Sequence, residues 1–91
     1  MPRKYRVAFN ISNSMFWYKG GKIIFNEDNF ELRFLWKTKC VVDYQDILTI
    51  KMIRKNLSKC IWITTNQSTI YLICPKRALI EFKNLGFNID K

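Results

Sequence analysis

Lys19-Gly20-Gly21-Lys22-Ile23-Ile24-Phe25-Asn26-Glu27-Asp28-Asn29-Phe30-Glu31-Leu32-Arg33-Phe34-Leu35-Trp36 is the stretch that decides the fold. In its second half Phe30, Leu32, Phe34 and Trp36 alternate with Glu31, Arg33 and Leu35, the period of two expected of a strand with one face on a core. Asn26-Glu27-Asp28-Asn29 supplies side chains that bond their own backbone and tolerate left-handed conformations, so the chain reverses there. The stretch therefore reads as a hairpin. Gly20-Gly21 marks a turn or a bulge, because glycine alone takes positive φ without steric cost. A lone Gly-Gly-Lys lacks the spacing of a phosphate-cradling loop.

Working outward, Tyr5, Val7 and Phe9 alternate with Arg6 and Ala8 and form a candidate first strand, preceded by the basic residues Arg3 and Lys4. Met15-Phe16-Trp17-Tyr18 is a dense aromatic run whose expected role is core packing. After Trp36, Lys37-Thr38-Lys39 reads as a polar turn and Cys40-Val41-Val42 as a short strand. Asp43-Tyr44-Gln45-Asp46 breaks it. Ile47 to Ile53 resumes with Leu48, Ile50 and Met52 on one face. Arg54 to Lys59 reads as a basic hairpin turn, returning through Cys60 to Thr65; after Asn66-Gln67-Ser68, the stretch Thr69 to Cys74 alternates again. The period then changes. Pro75 suits the first position of a helix and Gly86 the position just past its end, and Ala78, Leu79, Phe82 and Leu85 make one apolar stripe between them.

The 91 residues leave room for one domain, and 48% hydrophobic with 15% aromatic content is enough to bury a core and argues against disorder. No apolar run approaches the roughly 18 residues of a membrane span, and the amino terminus lacks the apolar centre of a secretion signal, so a cytoplasmic location is expected. Three cysteines, Cys40, Cys60 and Cys74, without a Cys-x-x-Cys pair and without any histidine, predict buried thiols rather than a disulfide framework or a zinc site. Heavy use of Lys, Ile and Asn with few alanines suggests an AT-rich bacterial or phage genome. The formal net charge of +9 creates a field that attracts polyanions: nucleic acid, an anionic membrane or an acidic protein face.

The order of Gly20-Gly21-Lys22-Ile23-Ile24-Phe25, a polar corner, Phe30-Glu31-Leu32-Arg33-Phe34, Tyr44-Gln45-Asp46-Ile47, a basic hairpin, Ile61-Trp62-Ile63-Thr64-Thr65 and a closing helix resembles the pleckstrin-homology superfold, nearest its bacterial PH-like and GRAM-like branch. The resemblance implies a mostly β (α+β) domain: a bent antiparallel sheet or partly open barrel of six to seven strands, closed by one C-terminal helix. Residues 1–14 then form a basic amino-terminal arm with a candidate first strand, and residues 15–91 a single domain. The tryptophan common in the helix of eukaryotic members is absent, and Phe82 is expected to take its packing role. Members are usually non-catalytic scaffolds for lipid headgroups, peptides or proteins. Here Lys19, Lys22 and Arg33 are interrupted in sequence by Glu27, Asp28 and Glu31, which argues against phosphoinositide recognition.

Catalysis is not expected. Without histidine, acid–base work falls to scattered carboxylates, of which only Asp43 and Asp46 are close, as caps or charge partners rather than catalysts. No cofactor or metal is expected. The expected function is a binding module that docks a protein partner through a sheet edge, with Trp36, Trp62 and Tyr71 as aromatic anchors and Lys37, Lys39, Lys51, Arg54, Lys55 and Lys59 as a basic rim. A small phage or mobile-element protein that blocks a host factor is one form of this. The other partners open to such a chain are nucleic acid, through the basic hairpin 51–59, and, less favoured, an anionic membrane.

Overall fold

The computed structural model describes residues 3–12, 16–55, 58–87 and 89–90, with residues 53–55, 58, 59 and 90 described through the backbone alone. Seven strands, β1 (Arg3–Ile11), β2 (Tyr18–Phe25), β3 (Asn29–Phe34), β4 (Lys37–Asp43), β5 (Ile47–Lys55), β6 (Ser58–Thr65) and β7 (Thr69–Ile73), precede one helix, α1 (Lys76–Asn84). They form a single unclosed sheet in the order β4-β3-β2-β1-β7-β6-β5, antiparallel throughout, and a two-residue strand β8 (Ile89–Asp90) lies parallel on β5. The mostly β architecture closed by one C-terminal helix is the one expected. The first strand is longer than Tyr5–Phe9. It includes Arg3 and Lys4, and it is the centre of the sheet, since β1 pairs with both β2 and β7.

Alternation along each strand places one set of side chains inside. Val7 and Phe9, Ile23 and Phe25, Phe30 and Leu32, Ile61 and Ile63, and Ile70 and Leu72 are all buried in one core. Helix α1 covers part of it. Ala78, Leu79 and Phe82 are buried, and the Phe82 ring meets Phe25 and Phe30 edge-on at 5.0 and 5.6 Å between centroids. Phe82 is thus the aromatic ring that fastens the helix to the sheet. Gly86 at φ 100 ends the helix just after Leu85, while Pro75 is its N-cap, one position before the helix proper.

The double glycine proves to be a bulge. Val7 pairs with Gly21 and Phe9 with Tyr18, so Lys19 and Gly20 together oppose Ala8, and Gly20 takes φ 80. The polar corner between β2 and β3 is closed by Asn26 N–H donating to Asn29 O at 2.8 Å and latched by the Tyr44 hydroxyl donating to Asn26 O at 2.8 Å.

Several expectations need correction. The aromatic run 15–18 is not a core segment throughout, since Phe16 is exposed and Trp17 and Tyr18 are half-buried, while Met15 lies outside the described residues. Phe30, Leu32 and Phe34 follow the strand period, but Trp36 does not, because the chain turns at Leu35-Trp36 rather than at Lys37-Thr38-Lys39, which belong to β4. Leu48 does not share the face of Ile50 and Met52: it is the extra residue of a bulge between the pairs Ile47–Thr65 and Thr49–Thr64, and it is exposed. Leu85 is also exposed, since the helix has ended before the fourth position of the apolar stripe reaches the core. The basic turn is shorter than Arg54–Lys59, because Arg54 pairs with Lys59 and Lys55 with Ser58 within the ladder. Its tip, Asn56-Leu57, lies outside the described residues.

Candidate functional site

The β3–β4 turn carries the most exposed aromatic ring of the described residues. Trp36 is 90% exposed and Leu35 beside it 75%, and Leu35 holds φ 58, a left-handed backbone that a branched side chain adopts only at a cost. Behind the turn lies a groove of about 520 Å³ lined by Phe16, Tyr18 and Phe34 together with Trp36, Lys37 and Lys39. Its rings are ordered by one another: Tyr18 stands 4.8 Å from Phe16 and 5.2 Å from Phe34, and the Lys39 ammonium lies 5.5 Å from the Tyr18 ring centre. Lys39 reaches that position because it is the extra residue of a bulge between the pairs Leu32–Cys40 and Arg33–Thr38. Among the described residues no strand pairs with the far side of β4, so the turn opens onto a sheet edge.

The predicted site residues fall into two groups at opposite ends of the sheet order. Trp36, Lys37 and Lys39 come together at the β3–β4 end. Lys51, Trp62 and Tyr71 come together on β5, β6 and β7, where Lys51 pairs with Trp62 and Trp62 with Tyr71. Trp62 and Tyr71 stack on each other at 5.8 Å, and Trp17 adds its ring at 6.4 Å from Tyr71. Each is half-buried, so much of their area is already spent within the chain, unlike that of Trp36. Arg54, Lys55 and Lys59 lie in the β5–β6 ladder by backbone, and their side chains are outside the described residues.

Sequence order concealed a third feature. Arg6 pairs with Lys22, and Lys22 with Arg33, so three cations stand side by side across β1, β2 and β3 on the face opposite the core. Glu27 and Asp28, which separate Lys22 from Arg33 in sequence, sit at the far corner of the hairpin. Glu31 is on the same strand as Arg33 but accepts hydrogen bonds from Asn26 Nδ2 at 2.9 Å and Thr38 Oγ1 at 3.4 Å. The signal was present as outward positions of the strand period; only the register revealed that they align.

A second cavity, about 460 Å³, lies where Arg3, Phe25, Asn26, Tyr44, Glu81 and Asn84 meet. Glu81 accepts the Tyr5 hydroxyl at 2.6 Å and Arg3 Nη1 at 2.9 Å. The Tyr5 bond foremost, and Arg3 with it, hold the Glu81 carboxyl below its ordinary range, while the same bond and partial burial raise the Tyr5 phenol. Burial, with Glu81 and Asp28 nearby, pushes the Tyr44 phenol up to about 12. A carboxylate made less basic by two donors on one oxygen and phenols made less acidic are poorly poised for proton transfer near neutrality. Burial also raises the thiols of Cys40 and, to about 12, Cys74, which makes them inert rather than nucleophilic. Asp43 caps the 3₁₀ turn Tyr44–Asp46 by position, without a side-chain capping bond.

No protein-family model matches the chain, and neither does any curated protein. Among the described residues no group of three or more His, Cys, Asp or Glu could hold a metal, and no helix is long and apolar enough to cross a membrane.

Proposed function

We propose that this chain is a non-catalytic binding module, acting in the cytoplasm as a pleckstrin-homology-like scaffold, that docks a protein partner at the β3–β4 turn. One observation carries the reading: Trp36, 90% exposed, is presented by a turn that keeps Leu35 at φ 58. Strained backbone beneath a protruding tryptophan is characteristic of a contact surface, where aromatic anchors dominate affinity. In this reading Trp36 enters the partner, and the Phe16–Tyr18–Phe34 groove receives an apolar side chain in return. Lys37 and Lys39 form the rim and favour a partner with acidic residues around its contact. The edge of β4 adds main-chain donors and acceptors for an extended segment. Cys40 and Cys74, thiols not joined in a disulfide, suit a reducing compartment.

Photo-crosslinking in the host cell tests this, with a benzophenone amino acid at position 36 and, as control, at Leu48, which is exposed elsewhere on β5. A single protein adduct at position 36, missing at position 48 and lost with Lys37→Glu and Lys39→Glu, is the expected result. Equal adducts at both positions would reject the turn as the docking surface.

A further inference from the structure

We propose that the outer face of β1, β2 and β3 binds single-stranded nucleic acid, with Arg6, Lys22 and Arg33 on successive backbone phosphates and Trp36 as a stacking platform for a base. Like charges directly opposite on neighbouring strands destabilise a sheet, and here the arrangement occurs twice in succession, Arg6 against Lys22 and Lys22 against Arg33. The one described carboxylate beside the row, Glu31 two positions from Arg33 on the same face, is engaged by Asn26 Nδ2 and Thr38 Oγ1 and makes no ion pair with it. Arg3–Glu81 is the one ion pair among the described residues, and Arg33 Nε is buried without a hydrogen-bond partner there. Three aligned cations beside a single carboxylate that is already hydrogen-bonded elsewhere leave a net positive row, the complement of an anion supplied from outside.

The order of the row favours a polymer. One cation per strand, at the interstrand spacing of about 4.8 Å, gives a regular line, whereas a planar membrane reads total charge and apolar protrusion and needs no such line. The line also ends at a ring. A small cavity of about 190 Å³ is lined by Lys4, Lys22, Ile24 and Arg33 together with Leu35 and Trp36. Cations tracking a backbone beside an exposed aromatic ring are the two components of sequence-tolerant single-strand binding, because every base offers a π-face. The row is distinct from the groove lined by Phe16, Tyr18 and Phe34, and from the 51–59 hairpin at the opposite end of the sheet.

The test is fluorescence anisotropy of the full chain with a labelled oligothymidylate of about twenty nucleotides, titrated over a range of salt. The triple variant Arg6→Gln, Lys22→Gln, Arg33→Gln is compared with Lys76→Gln, Arg77→Gln, Lys83→Gln, which removes equal charge from the exposed side of α1. Folding of each is checked by circular dichroism. The row variant should weaken binding at least tenfold and flatten the slope of log K against log salt by about 2, the value for three phosphate contacts to a single strand. The helix variant should keep the parent slope, and Trp36→Ala should lose about tenfold in affinity with the slope unchanged. Equal losses in both triple variants would reduce the effect to net charge and overturn the site, as would binding to phosphatidylserine vesicles with none to the oligonucleotide at low salt. Failure here leaves the protein-docking proposal separately testable: Trp36 is shared by the two sites, but the row variant retains Lys37 and Lys39, and a protein adduct lost with Lys37→Glu and Lys39→Glu and kept in the row variant reports docking.

Discussion

Gly21 lies so close to Phe9 that a Cβ there would stand 2.6 Å from Phe9 Cε1, and 2.8 Å from the carbonyl oxygen of Arg33. The glycine pairs with Val7 beside the β2 bulge, and the Phe9 ring it touches stacks on Tyr18 at 4.9 Å. Tyr18 in turn lines the groove behind Trp36. A backbone requirement at one position of β2 thus carries through a fully buried ring to the candidate docking surface.

Gly21→Ala should destabilise the fold by about 1–3 kcal/mol, the usual cost of overpacking. Gly20→Ala has open space but a φ of 80, and should cost about 1 kcal/mol from the left-handed backbone alone. Urea denaturation of the two variants checks the assignment. A Gly21→Ala midpoint equal to the parent's would show that Phe9 and β3 shift aside without cost.

Phe82→Ala should lose about 3–5 kcal/mol, since it empties a fully buried site between Phe25 and Phe30. Leu85→Ala, three residues later on an exposed position, should change stability by less than about 0.5 kcal/mol. Comparable losses for both would mean that the helix continues onto the core past Asn84.

The Glu81 network predicts a pH dependence. A carboxyl whose folded pKa lies below its unfolded value contributes fully above the unfolded value and loses that contribution as pH falls through the folded one. Glu81→Gln should therefore melt below the parent at neutral pH, and the gap should close as pH is lowered through the carboxylate range near about 4. Thermal melts at a series of pH values give the answer. A gap independent of pH would assign the loss to packing rather than to the Tyr5 and Arg3 bonds.

Periodicity made the interior legible. Phe30, Leu32, Ile61, Ile63, Ile70 and Leu72 alternate in sequence and are buried in the structure, because a strand's period of two follows from backbone geometry alone. Bulges were not legible at Leu48 or Lys39, since an extra residue changes parity without changing composition. The aromatic anchors were only partly so. Trp36, Trp62 and Tyr71 look alike in sequence, yet Trp62 and Tyr71 cover each other while Trp36 stands free at a turn that its apolar neighbours disguise as strand. Arg6, Lys22 and Arg33 went unnoticed as a group, because alignment across strands depends on register, which no single strand encodes.

Leu35 separates a turn built for stability from one built for contact. At φ 58 a leucine costs about 1–2 kcal/mol that glycine does not, and glycine's greater unfolded-state entropy offsets about 0.5–1 kcal/mol of the relief. Being 75% exposed, Leu35 returns little by burial. Leu35→Gly should thus leave stability unchanged or raise it by up to about 1 kcal/mol, while weakening the position-36 adduct by loosening the backbone that aims Trp36. Trp36→Ala should change stability by no more than about 0.5 kcal/mol and abolish docking. Paired urea titrations and partner-capture assays on the two variants decide between the alternatives. A Leu35→Gly protein that unfolds earlier than the parent would mean that the leucine supports the sheet, and the strained turn would then no longer argue for a contact surface.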